Sequence, residues 1–363
     1  MLRGQRHRLI LIPHRVYSPA QRRARQARRL ALSRDVHSRP AEAAPAPGHG
    51  GFPSFGVADA AWQPAPDVID QVDALLRGYR ESIVATVEEP VRAHYPALLE
   101  APNDEYRKML ELSTKMTLVG HACCEIAGYP YDERRRLNGT LFGCCCFLAD
   151  SFIDDFGPDA TREYLERIEL LLTTGWFDVR TPREELFYAI VSRLFAARDV
   201  LDPILRQAIL LLFEAQRRDT ELRLGDAIAS LPRRELLTLL RLCARDRSGH
   251  AITVLTGFVA PEIELSLLPP LFTAGALIMH IDDHGDCFSD LRHGRLTYLN
   301  QVRNPAATLR RIFLEHIARL HAGLPANDGR DLMVAFLTRY FLTRLEKHRL
   351  ERKRSDSAWA VYE

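Results

Sequence analysis

No apolar run in this chain reaches the roughly 18 residues that a membrane-spanning helix needs. The expectation is therefore a soluble, cytoplasmic protein with no transmembrane segment, loosely membrane-associated only if its ligand is oily. The seven cysteines form no CxxC, and none stands at a His spacing that suggests zinc. Cys123-Cys124 and Cys144-Cys145-Cys146 are adjacent runs inside apolar helical text. They read as small buried hydrophobes in a reducing compartment, not as a disulfide framework. GxGxxG, GxxxxGK and GxSxG are all missing, which leaves nucleotide-binding and serine-hydrolase readings without support. Alternating strand text is scarce, and no repeat of solenoid length is visible.

The charge is nearly balanced, at +2 over 363 residues, but unevenly placed. Residues 1–50 hold 11 Arg against two acids, Asp35 and Glu42, which leaves a body near −7. A basic tail on a mildly acidic body does not fit a nucleic-acid-binding domain. The tail is rich in Arg and then in Pro, Ala and Gly, and cannot bury a core. Residues 1–60 are expected to be disordered. An Arg-rich transit peptide and a start site placed too early both stay open. Residues 61–363, in a chain that is 47% hydrophobic, suffice for one large domain.

From about Pro66 the apolar spacing is helical almost throughout. Val68, Val72, Leu75 and Leu76 share one face. Further helices are predicted over 103–127, 131–155, 159–173, 183–198, 203–224, 233–258, 266–290, 305–322 and 328–352. Pro66, Pro182, Pro203, Pro232 and Pro305 stand at or near helix starts, where a missing N–H is tolerated. Some ten helices imply an all-α domain with its site between facing helices. Gly139, Gly143 and Gly275 are candidates for close helix approach. Arg247-Ser248-Gly249 is a candidate kink.

Two helices are apolar on all sides and end in carboxylates. Leu141–Ile153 meets Asp150, Asp154 and Asp155. Leu267–Ile281 meets Asp282, Asp283, Asp286 and Asp290. Carboxylates at i,i+4 stack roughly 6 Å apart along the axis and repel. Near a helix C-terminus they also oppose the macrodipole, and a buried helix offers little water to screen them. Several Mg²⁺ ions bound through oxygen, with the rest of their shell supplied by water and phosphate, would relieve all three terms. A diphosphate between the clusters would complete the balance, with Arg245, Arg247, Arg292, His293 and Arg295 as candidate cations. The alternative is plain: helix-end acids paired to nearby Arg. His280 and His284, at i,i+4, are a weaker candidate pair of transition-metal ligands. His121 and His250 read as core or cavity residues. Phe142, Phe147, Phe152, Phe156, Phe258 and Tyr298 could line a cavity and stabilise cations through their π faces.

These residues resemble the class I terpenoid synthases. Asp150-Ser151-Phe152-Ile153-Asp154-Asp155 is similar to the DxxxD(D) motif of squalene and phytoene synthases. Read from Asp154, the text to Asp159 is similar to the DDxxxD of terpene cyclases. Asp282, Asp286 and Asp290 have the spacing of the cyclases' NSE triad, with Asp in every place, and also resemble the DxxxDxxxD of the coupling enzymes. Gly294-Arg295 and Tyr298-Leu299 resemble the GR-x-YL that follows it there, with one extra residue. Arg339-Tyr340 resembles the cyclases' late Arg-Tyr pair but stands earlier. The motifs lie 128 residues apart, from Asp154 to Asp282.

The resemblance implies a single-domain helical bundle with a central apolar cavity over residues 66–350. Asp150, Asp154, Asp155, Asp282, Asp286 and Asp290 would hold Mg²⁺. Arg245, Arg247, Arg292, Arg295, Tyr298, Arg339 and Tyr340 would meet the substrate diphosphate. Asp154, Arg247 and Arg295 would be catalytic. The expected activity is that of a terpene synthase, a carbon–oxygen lyase acting on farnesyl or geranylgeranyl diphosphate. Head-to-head coupling of two prenyl diphosphates is the second enzyme reading, and a non-catalytic helical binding protein is the third. The paired Arg and the early Gly-Lys-Arg of chain-elongating synthases are missing, which argues against elongation. Monomer and homodimer both stay open.

Overall fold

The computed structural model describes residues 5–8, 66–100, 104–196, 203–224 and 231–354, the side chains of 5–8, 66–68, 151–161, 172–173, 203, 223–224 and 354 excepted. Ten α-helices are described: α1 (Pro66–His94), α2 (Asp104–Ile126), α3 (Glu133–Thr174), α4 (Pro182–Ala196), α5 (Pro203–Leu224), α6 (Arg233–Val259), α7 (Leu268–Gly285), α8 (Cys287–Arg292), α9 (Pro305–Gly323) and α10 (Asp328–Arg354). The described residues are all-α apart from one two-stranded ribbon. All described residues belong to one compact unit, which comprises residues 1–11 and 64–363.

The helix ends follow the local chemistry. Prolines open α1, α4, α5 and α9, where φ is already suitable and no N–H is needed. Asp132 caps α3 by accepting from the Arg135 N–H at 2.8 Å, and Asn304 caps α9 through the Ala307 N–H at 3.1 Å. Gly175 closes α3 in the left-handed region at φ 77°, a conformation that suits glycine.

Three expectations change. Residues 131–155 and 159–173 form the single 42-residue helix α3. It runs through Gly157-Pro158, although an interior proline forfeits one helical bond. Burial of Tyr164, Leu165, Ile168 and Leu171 on the far side anchors that continuation, so packing overrides local propensity. Asp150, Asp154 and Asp155 therefore stand in mid-helix, and the macrodipole argument does not apply to them. In contrast, 266–290 is broken. Asp286 leaves the helix at φ −105°, ψ 3°, and α8 begins at Cys287. Finally, α6 passes Arg247-Ser248-Gly249 without a break.

Glycine serves here as a contact surface. A Cβ on Gly275 would lie 2.3 Å from the Ser248 carbonyl oxygen and 2.9 Å from Gly249 Cα, so α6 and α7 cross backbone to backbone. A Cβ on Gly143 would lie 2.5 Å from Ser113 Cα and would part α3 from α2 in the same way. Gly275→Ala should lower stability by about 2–3 kcal/mol through overpacking. A thermal melt by circular dichroism tests this, and a parent-like midpoint would contradict the close crossing.

The strand β2 (Trp176–Val179) was not foreseen. It buries Phe177 and Val179 in alternation and pairs antiparallel with β1 (Gln5–Arg8), in register Gln5 to Val179. Strand β1 falls within residues 1–60, expected to be disordered, and the rest of 1–60 lies outside the described residues. The cysteines are free thiols; five are buried, while Cys145 and Cys146 are partly exposed.

Helix α7 packs mainly against α6, α9 and α10. With its preceding turn, Leu265–Gly285 is the one segment among the described residues that is long and apolar enough to cross a membrane by length and composition. Its mean hydropathy is 1.4. Averaging admits the Pro, Gly and His that interrupt it, which a search for unbroken apolar runs does not.

Candidate active site

A cavity of about 240 Å³ opens between α2, α3, α4, α5, α6, α7 and α10. Its walls are almost wholly apolar. Phe142, Phe187, Phe195, Phe213, Phe258 and Phe336 contribute, with Leu112, Ile209, Leu212, Ile252 and Ile278. Phe258 meets Phe195 edge-on at 5.2 Å and lies 6.4 Å from Phe142. The polar lining is short: Lys115, Asp150, Gln216, Arg247, Ser248, Asp282 and Tyr340.

The helix directions gather that polar lining at one end. Asn138 of α3 reaches the Phe258 carbonyl of α6 at 3.0 Å, and Arg135 reaches that of Val259 at 3.0 Å. The two helices thus run antiparallel. Twelve residues further along α3 stands Asp150, opposite Arg247. Helix α7 crosses α6 at Gly275 and then presents Ile278, Met279 and Asp282. Each helix passes from apolar to polar text in the same direction through the cavity.

Arg247 is nearly buried. Its Nη1 donates to Asp219 Oδ2 at 2.5 Å and its Nη2 lies 3.5 Å from Met279 Sδ. Burial opposes the guanidinium charge, but the Asp219, Asp150 and Asp283 carboxylates outweigh it and hold the pKa above the usual Arg value. Gln216 Nε2 donates to Asp150 Oδ1 at 3.4 Å. Asp219 and Gln216, three apart on α5, were not singled out from the sequence. Their only signal is that a buried helix face carries a polar pair.

The second cluster meets α10. Arg344 Nη2 donates to Asp282 Oδ1, and Tyr340 Oη donates to the same oxygen. Arg344 also bonds the Tyr340 hydroxyl at 3.0 Å. Lys347 Nζ donates to Asp286 Oδ1, and Arg344 Nη1 lies 3.7 Å from Asp286 Oδ2. Burial pushes the Asp282 carboxyl up, yet Arg344, the Tyr340 hydrogen bond, Lys115 and Lys347 bring it below the usual carboxylate range. Burial and the Asp282 charge raise the Tyr340 hydroxyl well above its ordinary value. Lys115 completes the group, with Nζ 5.0 Å from the Tyr340 ring centre and 3.0 Å from Glu111 Oε1. Asp282 and Asp286 are therefore compensated by basic side chains of α10. Arg344 and Lys347 were missed because their sequence neighbourhood is uniformly charged.

The sequence-predicted residues thus divide. Asp150, Arg247, Asp282 and Tyr340 line the cavity, and Asp286 lies one helical turn beyond Asp282. Asp154 and Asp155 follow Asp150 on the backbone of α3, with side chains outside the described residues. Asp290 is half-buried on α8 and does not line the cavity. Arg245 is exposed and pairs with Asp246. Arg292 is exposed. Arg339 turns to Asp73 of α1 at 2.7 Å. The Arg295 carbonyl accepts from Asn300 Nδ2 at 2.9 Å, and Tyr298 lines a different cleft. His280 and His284 meet different neighbours: His280 faces Tyr298 and His316, whereas His284 stacks on His348 at 4.1 Å. His121 bonds the Tyr79 hydroxyl at 2.7 Å and Glu125 at 3.0 Å.

The donors suit a hard cation, because Asp150 and Asp282 offer carboxylate oxygen and neither His nor a thiolate competes at that end. Burial raises the Cys146 thiol beyond its usual range and the Cys145 thiol well above it, so both stay protonated. Among the described residues no group of three or more His, Cys, Asp or Glu converges tightly enough to form a metal cage. In comparison with known proteins, no family model matches the chain, and no curated protein matches it.

Proposed function

We propose that this chain is a Mg²⁺-dependent terpene synthase that ionises a prenyl diphosphate of the farnesyl or geranylgeranyl class. One observation carries the reading: a phenylalanine-walled cavity has its polar groups gathered at one end, where carboxylates and cations alternate. A prenyl diphosphate has the complementary form, an oily chain joined to a compact polyanion. Asp150, Asp282 and Asp286, with Asp154 and Asp155 on the adjoining turn, would hold Mg²⁺. The bound ion would neutralise charge on the leaving diphosphate.

The protein's own groups have separable tasks. Arg247 and Lys115 present donors toward diphosphate oxygens, and a guanidinium fork suits two of them at once. Asp219 fixes Arg247 from behind. Arg344 pairs with Asp282 and Lys347 with Asp286, which offsets these charges without metal. The apolar walls exclude water from an allylic cation, and the faces of Phe142, Phe258 and Phe336 are available to stabilise it. Nothing in the geometry favours the coupling reading. Arg295 and Tyr298, which supported it, do not line the cavity.

The test is a product assay. Purified protein, Mg²⁺ and each of geranyl, farnesyl and geranylgeranyl diphosphate should give metal-dependent diphosphate release and a hydrocarbon or alcohol of unchanged carbon number. A product of doubled carbon number would replace this reading with coupling. No release from any of the three would end it.

A further inference from the structure

We propose that the arginine-lined cleft between the first turns of α6 and Tyr298 is a second anion site, one that takes a phosphate or diphosphate group. It is lined by Arg233, Arg234, Leu237, Thr238, Arg241 and Tyr298, and shares no lining residue with the apolar cavity. The proposal does not rest on the function proposed above.

The reasoning is one of uncompensated charge. Arg233, Leu237 and Arg241 follow at i,i+4,i+8, and Arg234 and Thr238 border the same face. Three guanidinium groups thus share one side of two helical turns, where like charges repel. Arg233 and Arg234 stand in the first turn of the helix, where the macrodipole also disfavours cations. The other arginines of α6 are matched to carboxylates, Arg245 to Asp246 and Arg247 to Asp219. Among the described residues the cleft arginines meet no carboxylate. Arg233 donates to the Gln301 carbonyl at 2.9 Å. Arg241 lies 5.8 Å from the Tyr298 ring centre. For Arg234 no ion pair occurs among the described residues. Glu235, the acid of the first turn, does not line the cleft.

The donors also have the right form. Guanidinium forks match phosphate oxygens, and all three are exposed. The Tyr298 hydroxyl adds a donor that makes no hydrogen bond among the described residues. Thr238 is already used, donating to the Arg234 carbonyl at 2.9 Å. The opposite wall is fixed, because the Tyr298 ring rests 6.0 Å from buried His280. A free phosphate compound and a phospholipid headgroup share this chemistry.

Site-resolved arginine modification separates these sources. The full chain, in chelator, would be treated with phenylglyoxal alone, with inorganic diphosphate, with phosphatidylcholine vesicles, or with vesicles that also contain phosphatidic acid. Modification would be mapped by peptide mass spectrometry. Arg234 and Arg241 should be slowed about tenfold by the anion, the scale of charge-assisted contacts, while exposed Arg310 reacts at its usual rate. Protection by free diphosphate assigns a soluble phosphate ligand. Protection only by the anionic vesicles assigns a lipid headgroup. In Arg234→Gln/Arg241→Gln, protection of the remaining Arg233 should vanish. No protection in any arm, equal slowing at Arg310, or Arg233 still shielded in the double variant would each overturn the proposal.

Discussion

Asp150→Asn and Asp282→Asn should each lower Mg²⁺-dependent diphosphate release by roughly 10²–10³-fold, the scale seen when one electrostatic contact to developing charge is lost. The two carboxylates come from α3 and α7, 132 residues apart in sequence, yet they line the same end of one cavity. Asn keeps the volume and removes the charge. Both side chains are only partly buried, so neither variant should unfold the bundle. The circular dichroism melt should stay within a few degrees of the parent. Higher Mg²⁺ should partly restore Asp282→Asn, whose neighbour Asp286 remains. Rates equal to the parent at saturating Mg²⁺ would mean that these acids serve only as structural partners, Asp150 of Gln216 and Asp282 of Arg344.

A second large effect is expected at Arg247, this time in stability as well as activity. Arg247→Met leaves Asp219, 5% exposed, without this guanidinium. Removing one member of a buried pair costs up to about 3–5 kcal/mol, because the charge left behind has lost its ion-pair partner. Urea unfolding should therefore show a marked loss for Arg247→Met. Arg247→Met/Asp219→Asn should recover most of it, because both charges are then gone. Neither variant should recover diphosphate release, since no donor replaces the guanidinium. Recovery of activity in the double variant would show Arg247 to be a structural partner of Asp219 and nothing more.

How much of this could be read from the sequence depended on the range of the interaction. Helical periodicity is local, and it located α5, α6 and α9 to within a residue or so. Clustered acids leaving apolar text are local too, and they drew attention to Asp150 and Asp282. The break at Asp286 was not legible. It lies beside a contact made 59 residues away in sequence, where the Arg344 side chain rests against Gly285 so closely that a Cβ there would fall 2.5 Å from Arg344 Cδ. Nor was the continuity of α3 through Pro158 legible, because it is decided by what Tyr164 and Ile168 bury against.

The sequence by itself determined that the chain is helical, and that carboxylates are carried out of apolar segments in two places. Both are properties of neighbours within one or two helical turns. Only the tertiary structure decided which cations answer those carboxylates. Arg247 is turned inward by Asp219 of another helix, Arg339 is turned outward by Asp73, and Tyr298 is placed in a separate cleft. Identical side chains on one helical ladder differ only in the direction they face. That direction is set by how whole helices pack, through close crossings such as Gly275 on Ser248, and packing is a property of the full chain.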